Sequence, residues 1–373
     1  MGAMRGESDY GVFFTNNNMN DYPKLSIYPG FSPNYYGFYI LGIKRYCPKI
    51  KIDFKYDDFP FHYISYLAFE FEEKHILIDA MDFPTVDPGP LEWSDVCGKV
   101  NIPRDSLKAP DKEKIVPIGP SFGIQAWPLF KALPFGFKNY LNANLHRKYF
   151  RPVMGGYYHQ FKSRLPENSY FHSKSDPDYI FSLHSYWTQE PRANEFRLTF
   201  LNCASRLPGI QFEGGFYSQK SIDNPIYKPF EIKNFYNLDE YINKTQRSLL
   251  VFNTPAVKGC VGWKLGEYLA LGKAIISTEI SQDLPEPLEH GKHIHFVDGS
   301  KDSIEDAIAL IRDNRDYRLN LEENARAYYI KHLKPERVIE KLLQAAGVVV
   351  SMPGNVISDE GSTGYIHNIM REA

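Results

Sequence analysis

The sequence predicts an α/β protein built from two doubly wound parallel sheets. Short apolar runs alternate with stretches of helical periodicity along most of the chain, which is typical of parallel strands joined by helices. The chain has 373 residues and exceeds the length at which a single hydrophobic core usually stops growing. A polar segment over 165–177, rich in proline and serine, separates two such series. We therefore expect one domain over 1–165, a second over 166–346, and a tail over 347–373.

The first half contains predicted strands and helices in alternation. Tyr35, Tyr39 and Ile43 recur at helical spacing and predict a helix over 35–46. The segment 75–79 is strongly apolar and predicts a buried strand. The other predictions are strands over 10–15, 50–54, 98–102 and 114–118, an aromatic-rich helix over 61–71, and helical segments within 135–158.

The second half repeats the alternation. Asp239 and Glu240 stand near the start of a predicted helix, where carboxylates favour the positive end of the helix dipole. Ser303 and Asp306 have capping-box spacing and predict that another helix starts at Ser303. The remaining predictions are strands over 178–187, 210–216, 248–253 and 294–298, and helices over 191–207, 315–329 and 335–346.

The stretch 262–277 predicts a helix followed at once by a buried strand. Leu265, Leu269 and Leu271 supply an apolar stripe, and the short apolar run after them is typical of a strand. Gly272 stands where the helix must end in a left-handed conformation, which glycine adopts readily. The amino end of such a helix suits a phosphate, because its N–H groups are unpaired and the helix dipole is positive there.

Lys264 and Glu267 lie three residues apart near the start of this helix and so share one face. A carboxylate one turn into the helix can accept hydrogen bonds from two ribose hydroxyls, while the lysine and the helix end suit a diphosphate. The arrangement would hold a nucleotide diphosphate by its two ends. The alternative is that Glu267 is a solvated helix residue and that Lys264 is its partner.

Residues 264–276 read as a Lys, two residues, a Glu, a small apolar stretch, Gly-Lys and a buried strand. This pattern resembles the nucleotide-sugar motif of GT-B glycosyltransferases, and with the order of the surrounding elements the resemblance covers about 178–345. It implies two Rossmann-like domains that face a cleft, with the donor held by the second domain and the acceptor by the first. It also implies that Glu267 binds the ribose hydroxyls and that Lys264 lies near the phosphates.

Two positions depart from the family pattern. Gly259 stands where many retaining members carry a second acidic residue, eight positions before Glu267, so retention and inversion both stay open. Ala274 replaces the usual proline after Gly-Lys, a change that costs little because it lies at the entry to the strand.

Ligands of open α/β sheets bind beyond the carboxyl ends of the strands, and this rule selects further donor-binding residues. It selects His184 after the first strand of the second half, Gly214 after the next, and Arg192, whose guanidinium could clamp a diphosphate. Gly262 and Trp263 open the central helix and are expected beside the donor. The alternatives are a structural histidine, an ordinary glycine turn and a surface arginine.

The same rule selects acidic residues of the first half as candidate catalytic bases. Inverting transfer needs a general base on the acceptor hydroxyl, usually Asp, Glu or His. Asp79 and Asp82 follow the most apolar strand and are the leading candidates, and Asp57, with Asp58 and His62, comes next. For each acid, the alternative is a carboxylate that caps a loop.

Composition excludes several classes of protein. The net charge is -2 at pH 7 and no block of like charge occurs, which argues against a nucleic-acid partner. The four cysteines are scattered without zinc-site spacing, which suits a reducing compartment. No metal-binding motif occurs, so we expect no metal and no other cofactor, and the nucleotide-diphosphate sugar enters as a substrate.

The expected location is cytoplasmic. No apolar run approaches the roughly 20 residues that span a bilayer, and no signal peptide opens the chain. Peripheral contact with a membrane surface would suit a lipid-linked acceptor, through the basic clusters 146–148 and 162–164. The more ordinary interpretation of these clusters is a solvated helix face.

Three functions are consistent with the sequence. The first, which we favour, is a glycosyltransferase that moves a sugar from a nucleotide-sugar donor to a hydroxyl of a glycan or lipid-linked glycan, as in polysaccharide biosynthesis. The second keeps the fold but changes the reaction to sugar-nucleotide epimerisation or hydrolysis. The third is an aromatic-rich, non-catalytic glycan-binding protein, which the missing acid at Gly259 keeps open. Neither the donor, the acceptor nor the oligomeric state follows from the sequence.

Overall fold

The computed structural model describes residues 24–46, 51–53, 66–108, 111–218, 220–233 and 235–348. Its strands are β1 Lys24–Ile27, β2 Lys51–Asp53, β3 Leu67–Phe71, β4 Lys74–Asp79, β5 Val96–Lys99, β6 Ile115–Pro117, β7 Tyr179–Ser185, β8 Gln211–Tyr217, β9 Val251–Asn253, β10 Ile275–Ser277 and β11 His295–Phe296. Its helices are α1 Pro33–Tyr46, α2 Pro88–Trp93, α3 Asp111–Lys114, α4 Leu129–Asn142, α5 Phe150–Lys162, α6 Pro191–Ser205, α7 Leu238–Arg247, α8 Trp263–Leu271, α9 Lys301–Asp313, α10 Arg315–Tyr328 and α11 Pro335–Ala345.

The strands of the first half form one six-stranded sheet in the order β2-β1-β3-β4-β5-β6. β1 and β2 run parallel, as do β4, β5 and β6, whereas β3 is antiparallel to both of its neighbours. The α/β class predicted from the sequence is confirmed. The prediction that this sheet is entirely parallel is wrong, because β3 forms a hairpin with β4.

The strand β3 replaces part of the aromatic-rich helix predicted over 61–71. Leu67, Phe69 and Phe71 alternate along one face of the strand and are fully buried. The two glutamates after Phe71 have φ angles of 48° and 63° and make the tight turn into β4. The period of two was the signal for a strand, and the density of aromatic residues concealed it.

The strand β1 lies in a stretch for which the sequence predicted neither a strand nor a helix. It has 4 residues, too few to show a period, and its place is decided by pairing with β2 and β3. The structure places β5 and β6 within a few residues of the predicted strands 98–102 and 114–118. The strand predicted over 10–15, and 61–65 of the predicted helix, lie outside the described residues.

The strands of the second half are all parallel, as predicted. β7 pairs with β8, and β9, β10 and β11 form a second group in the order β11-β10-β9. The groups lie side by side, because the N–H of Leu249 donates to the carbonyl of Tyr179 at 2.7 Å. Phe200 of α6 stacks on Phe252 of β9 with ring centroids 4.5 Å apart, so α6 covers the sheet with apolar surface.

Two helix starts test the predictions made for the helix ends. Asn237 caps α7 and forms a capping box with Glu240, in a first turn that also carries Asp239. The prediction that Ser303 caps the next helix is wrong. Ser300 is the N-cap of α9, and its hydroxyl accepts the N–H of Ser303 at 3.3 Å. Both serines precede the apolar stripe of α9, so the spacing alone did not show which of them is the N-cap.

The carboxyl ends of the strands in the two halves face each other. The N–H of Val261, just before α8, donates to Oδ1 of Asn101, just after β5, at 2.9 Å. The N–H of Arg104 donates to the carbonyl of Ser281 at 2.9 Å. Two α/β halves that meet at their strand ends form the GT-B arrangement implied by the resemblance.

The helix α11 packs back onto the first half. A Cβ atom on Gly42 of α1 would lie 2.2 Å from the carbonyl oxygen of Pro335, and one on Gly98 of β5 would lie 2.8 Å from Leu342. The predicted domain limits stay predictions, and α11, inside the predicted second domain, contacts the first sheet. None of the described helices is long and apolar enough to cross a bilayer.

Candidate active site

The helix α8 has the start and end that the sequence predicted. Gly272 has a φ of 62° and ends the helix in the left-handed conformation, and Leu265, Leu269 and Leu271 are fully buried. Gly262 is the N-cap and offers no side chain to the first N–H groups. The amino end of α8 is therefore open to an anion.

Gly266 explains how α8 reaches the first half. A Cβ atom at this position would lie 3.1 Å from the ring of Phe122 and 3.2 Å from the carbonyl oxygen of Pro120. These two residues belong to the loop after β6. A larger residue would separate helix and loop, so the glycine places α8 at the strand ends of both sheets.

Lys264 is held in a half-buried position. Its Nζ donates a hydrogen bond to the carbonyl oxygen of Leu183 near the end of β7. Burial, with a smaller contribution from the charge of Arg197, lowers the pKa of Lys264 to about 7. Among the described side chains, no ion pair joins Lys264 to Glu267 within 4.0 Å, so the alternative of a surface pair on α8 is wrong.

Glu267 is only 8% exposed, so it is not a solvated helix residue. Its Oε2 accepts a hydrogen bond from the Tyr241 hydroxyl at 3.1 Å. Among the described residues, Tyr241 is the only hydrogen-bond donor to this carboxylate. Burial raises the pKa of Glu267 to about 7, against the Tyr241 hydrogen bond and the charges of Lys264 and Arg164. The second carboxylate oxygen is available to a ligand.

Arg164, a cation from the first half of the chain, lies against α8. The sequence singled out this residue only as part of the basic cluster 162–164. The guanidinium of Arg164 lies 4.7 Å from the ring centroid of Trp263, the first residue of α8. Nε of Arg164 is buried and has no hydrogen-bond partner among the described residues. A Cβ atom on Gly123 would lie 2.3 Å from this Nε, so Gly123 makes room for it. Tyr35 completes the group, with its ring 5.7 Å from that of Trp263.

His184 and Gly214 have structural explanations in the sheet. His184 is buried beside Lys264, and its Nε2 shares a hydrogen bond with the Ser182 hydroxyl at 2.8 Å. Burial, and then the charges of Lys264 and Arg197, hold its pKa well below the usual value, so the ring is neutral. Gly214 lies inside β8, not after it, and a Cβ atom there would lie 2.0 Å from the Ser182 carbonyl oxygen. Their roles in donor binding stay predictions.

The predicted arginine clamp, Arg192, lies exposed on α6 with its guanidinium 5.4 Å from the Phe196 ring centroid. Arg197, one turn later, is the buried arginine. It donates to the hydroxyl of Thr254 at 2.9 Å and to the carbonyl of Ser185 at 2.8 Å. Arg197 thus fixes the ends of β7 and β9 beside α8. Its place on the buried face of α6 was the signal in the sequence.

Asp79 is occupied by a buried ion pair. Its Oδ2 lies 2.8 Å from Nζ of Lys99 on the neighbouring strand, and both side chains are 1% exposed. Its Oδ1 accepts the N–H of Met81 at 2.9 Å. Burial raises the pKa of Asp79, and Lys99 opposes that shift. This carboxylate holds the strand ends together and has little freedom to meet an acceptor.

Asp82 is more accessible than Asp79. It is exposed after β4, and its backbone carbonyl accepts a hydrogen bond from the Cys260 thiol at 3.4 Å. Desolvation raises its pKa, with the charge of Lys258 opposing. Nζ of Lys258 lies 3.8 Å from the ring centroid of Phe83. Asp82 therefore borders the loop that enters α8, whereas Asp57, with Asp58 and His62, lies outside the described residues.

A groove of about 570 Å³ lies between the halves, apart from Lys264 and Glu267. Its apolar lining includes Ile280 after β10, Leu288, and Phe296 of β11. Arg104 from the first half also lines it. Over the described part of the chain, no three His, Cys, Asp or Glu side chains are grouped to hold a metal ion. Metal independence stays a prediction.

No protein-family model matches the chain, and no curated protein matches it. Among solved structures, the chain is similar to a glycosyltransferase from Rickettsia africae at 14% identity, with a TM-score of 0.40 over 72% of this chain and 69% of that one. It is similar to the C-terminal domain of a group 1 family glycosyl transferase from Francisella tularensis at 12% identity, with a TM-score of 0.35 over 45% and 97%. A third is HepE from Anabaena, solved with UDP and glucose, at 10% identity, with a TM-score of 0.39 over 69% and 64%.

Proposed function

We propose that the protein is a glycosyltransferase that moves a sugar from a nucleotide-diphosphate sugar to a hydroxyl of a glycan or lipid-linked glycan, without a metal ion. The observation that carries this proposal is the pair of opposite charges on α8, with Glu267 buried and Lys264 half-buried. Glu267 is removed from water and Lys264 is partly removed, and the two do not form an ion pair with each other, which costs free energy. A nucleotide diphosphate offers a partner to each, a phosphate to the lysine and ribose hydroxyls to the carboxylate.

The leaving group would be stabilised by α8 and two cations. Negative charge develops on the diphosphate as its bond to the sugar breaks. The amino end of α8, Lys264 and Arg164 converge at the strand ends, where a low dielectric strengthens their effect. This set supplies the electrostatic stabilisation that a metal ion supplies in other enzymes.

The acceptor side is proposed at the strand ends of the first half. Asp82 is an exposed carboxylate at the facing loops, and we assign it the role of general base, with Asp57 as the second candidate. Beside Gly259, where an acid is missing from the sequence, lies the carboxylate of Glu190, the N-cap of α6. Oε1 of Glu190 accepts the N–H of Lys258 at 2.8 Å.

The test is a panel of UDP-, GDP- and CMP-linked sugars incubated in EDTA with and without glycan and lipid-linked acceptors. We expect nucleotide release that depends on both one donor and an acceptor, and the anomeric configuration of the product assigns retention or inversion. Free sugar released without acceptor would identify a hydrolase, and an isomerised donor an epimerase. Glycan binding with no turnover of any donor would identify a binding protein and reject transfer.

Donor binding is expected to be strongest near pH 7. The ammonium of Lys264, whose pKa is about 7, is lost above that pH and no longer attracts the diphosphate. The carboxylate of Glu267, whose pKa is also about 7, is protonated below it and loses a hydroxyl acceptor. Calorimetric titration with the preferred nucleotide sugar at pH 5.5, 7 and 8.5 measures both limbs. In Lys264→Arg, whose guanidinium stays charged, affinity should hold at pH 8.5, and a loss equal to wild type would contradict this origin of the alkaline limb.

A further inference from the structure

The outer face of α4 exposes a stripe of apolar side chains. Phe130 is 73% exposed, Phe137 is 49% exposed and Leu141 is 58% exposed. Their spacing of seven and four residues places them on one side of the helix. Phe150, which opens α5, continues the stripe, with its ring centroid 6.5 Å from that of Phe137. These four residues are called the aromatic face.

The aromatic face is held outward by the packing of α4 on α5. A Cβ atom on Gly136 would lie 2.6 Å from the ring of Tyr157, so the two helices are in close contact. Nδ2 of Asn139 donates to the Tyr157 hydroxyl at 2.6 Å in the buried interface. Because the opposite side of α4 is already used, the aromatic face has no core to enter.

The helices α4 and α5 carry positive charge without compensating acidic residues, although the net charge of the chain is only -2. No Asp or Glu occurs from Lys114 to Pro166, a stretch that the structure describes in full. Basic residues are exposed along α4, α5 and the turn between them, namely Lys131, Lys138, Arg147, Lys148, Arg151 and Lys162. Exposed aromatic rings beside unbalanced positive charge match the interface of a bilayer with anionic headgroups.

We propose that α4 and α5 dock the protein on an anionic lipid surface. The aromatic face enters the boundary between headgroups and acyl chains, and the flanking lysines and arginines contact lipid phosphates. A nucleic acid would also bind the positive charge, but its phosphates would gain no affinity from a continuous apolar stripe that includes Leu141.

The docking surface is linked to the candidate active site by α5. This helix starts at Phe150 on the aromatic face, and the chain just beyond its last turn carries Arg164, which contacts Trp263 at the start of α8. Thirteen helical residues span about 20 Å. The docking itself does not rest on the proposed glycosyl transfer, but it would hold the candidate active site within about 20 Å of the lipid headgroups.

Cosedimentation with vesicles tests the docking. The full chain is expected to bind vesicles of phosphatidylcholine with 30% phosphatidylglycerol, and to bind pure phosphatidylcholine at least tenfold more weakly. Phe130→Ser with Phe137→Ser should lower binding about tenfold, since both rings leave the interface. Lys131→Glu with Lys138→Glu should lower it about 30-fold or more, because each basic residue near an anionic surface contributes a factor of about five.

Matched controls use exposed residues elsewhere. Phe235→Ser removes a ring that is 76% exposed, and Lys292→Glu with Lys301→Glu reverses two surface charges of the second half. Both controls should bind vesicles as wild type does. Equal losses in the controls, or no binding to anionic vesicles, would overturn the proposal. So would a dimer in sedimentation velocity that the double serine variant dissociates, or duplex DNA binding that depends on the lysines but not on the phenylalanines.

Discussion

Glu267→Ala is expected to abolish measurable binding of nucleotides and nucleotide sugars. The carboxylate is buried, and Tyr241 donates a hydrogen bond to only one of its two oxygens. Hydrogen bonds from two ribose hydroxyls to this charged group would contribute about 3 kcal/mol together, or roughly 100-fold in affinity. Calorimetric titration of wild type and variant with UDP, GDP and CMP measures the loss.

Two further variants separate binding from folding. Glu267→Gln keeps an oxygen that can accept from Tyr241, so its thermal unfolding should match that of wild type while affinity for the nucleotide still falls. Glu323→Ala removes an exposed carboxylate of α10 and should change neither quantity. Wild-type affinity in Glu267→Ala for the nucleotide that binds would remove the main support for a donor site at α8.

Asp79→Asn and Asp82→Asn are expected to fail in different ways. Asp79→Asn leaves Lys99 as a buried cation without its partner, which should lower the free energy of unfolding by about 3 kcal/mol. Asp82 is exposed, so Asp82→Asn should stay within about 0.5 kcal/mol of wild type. Loss of the proposed base should instead lower kcat by roughly 100-fold or more. Urea unfolding and donor turnover measure the two effects.

The two variants also allow the opposite assignment. A stable Asp79→Asn protein with no turnover, together with a fully active Asp82→Asn protein, would make Asp79 the base despite its ion pair. Full activity in both would move the base to residues outside this loop, with Asp57 as the next to replace.

The sequence predicted α8 well because local rules determine it. Leu265, Leu269 and Leu271 set its buried face, and Gly272 ends it whatever surrounds the helix. The same holds for the start of α7, where Asp239 and Glu240 lie in the first turn as predicted and the capping box of Asn237 is a contact within that turn. Predictions failed where partners distant in the chain decide the outcome, as in β3, whose pairing with β1 and β4 overrides its dense aromatic composition.

The composition of the site was less predictable for the same reason. Arg164 reaches Trp263 across about a hundred positions of sequence, and no spacing rule joins them. Lys99 and Asp79 meet because β4 and β5 are neighbours in the sheet, which converted a candidate base into half of an ion pair. Lys273, beside Gly272 in the motif, is fully buried and donates to Ser175 and to the carbonyl of Gln246, so its contacts are structural.

A crystal structure of the protein soaked with UDP, GDP and CMP in turn would show directly where the nucleotide binds relative to Glu267. The bound nucleotide is expected to place its ribose hydroxyls within hydrogen-bond distance of the Glu267 carboxylate and its phosphates at the amino end of α8, near Lys264. A nucleotide bound elsewhere, such as in the groove beside Phe296, with Glu267 still paired only to Tyr241, would contradict this expectation.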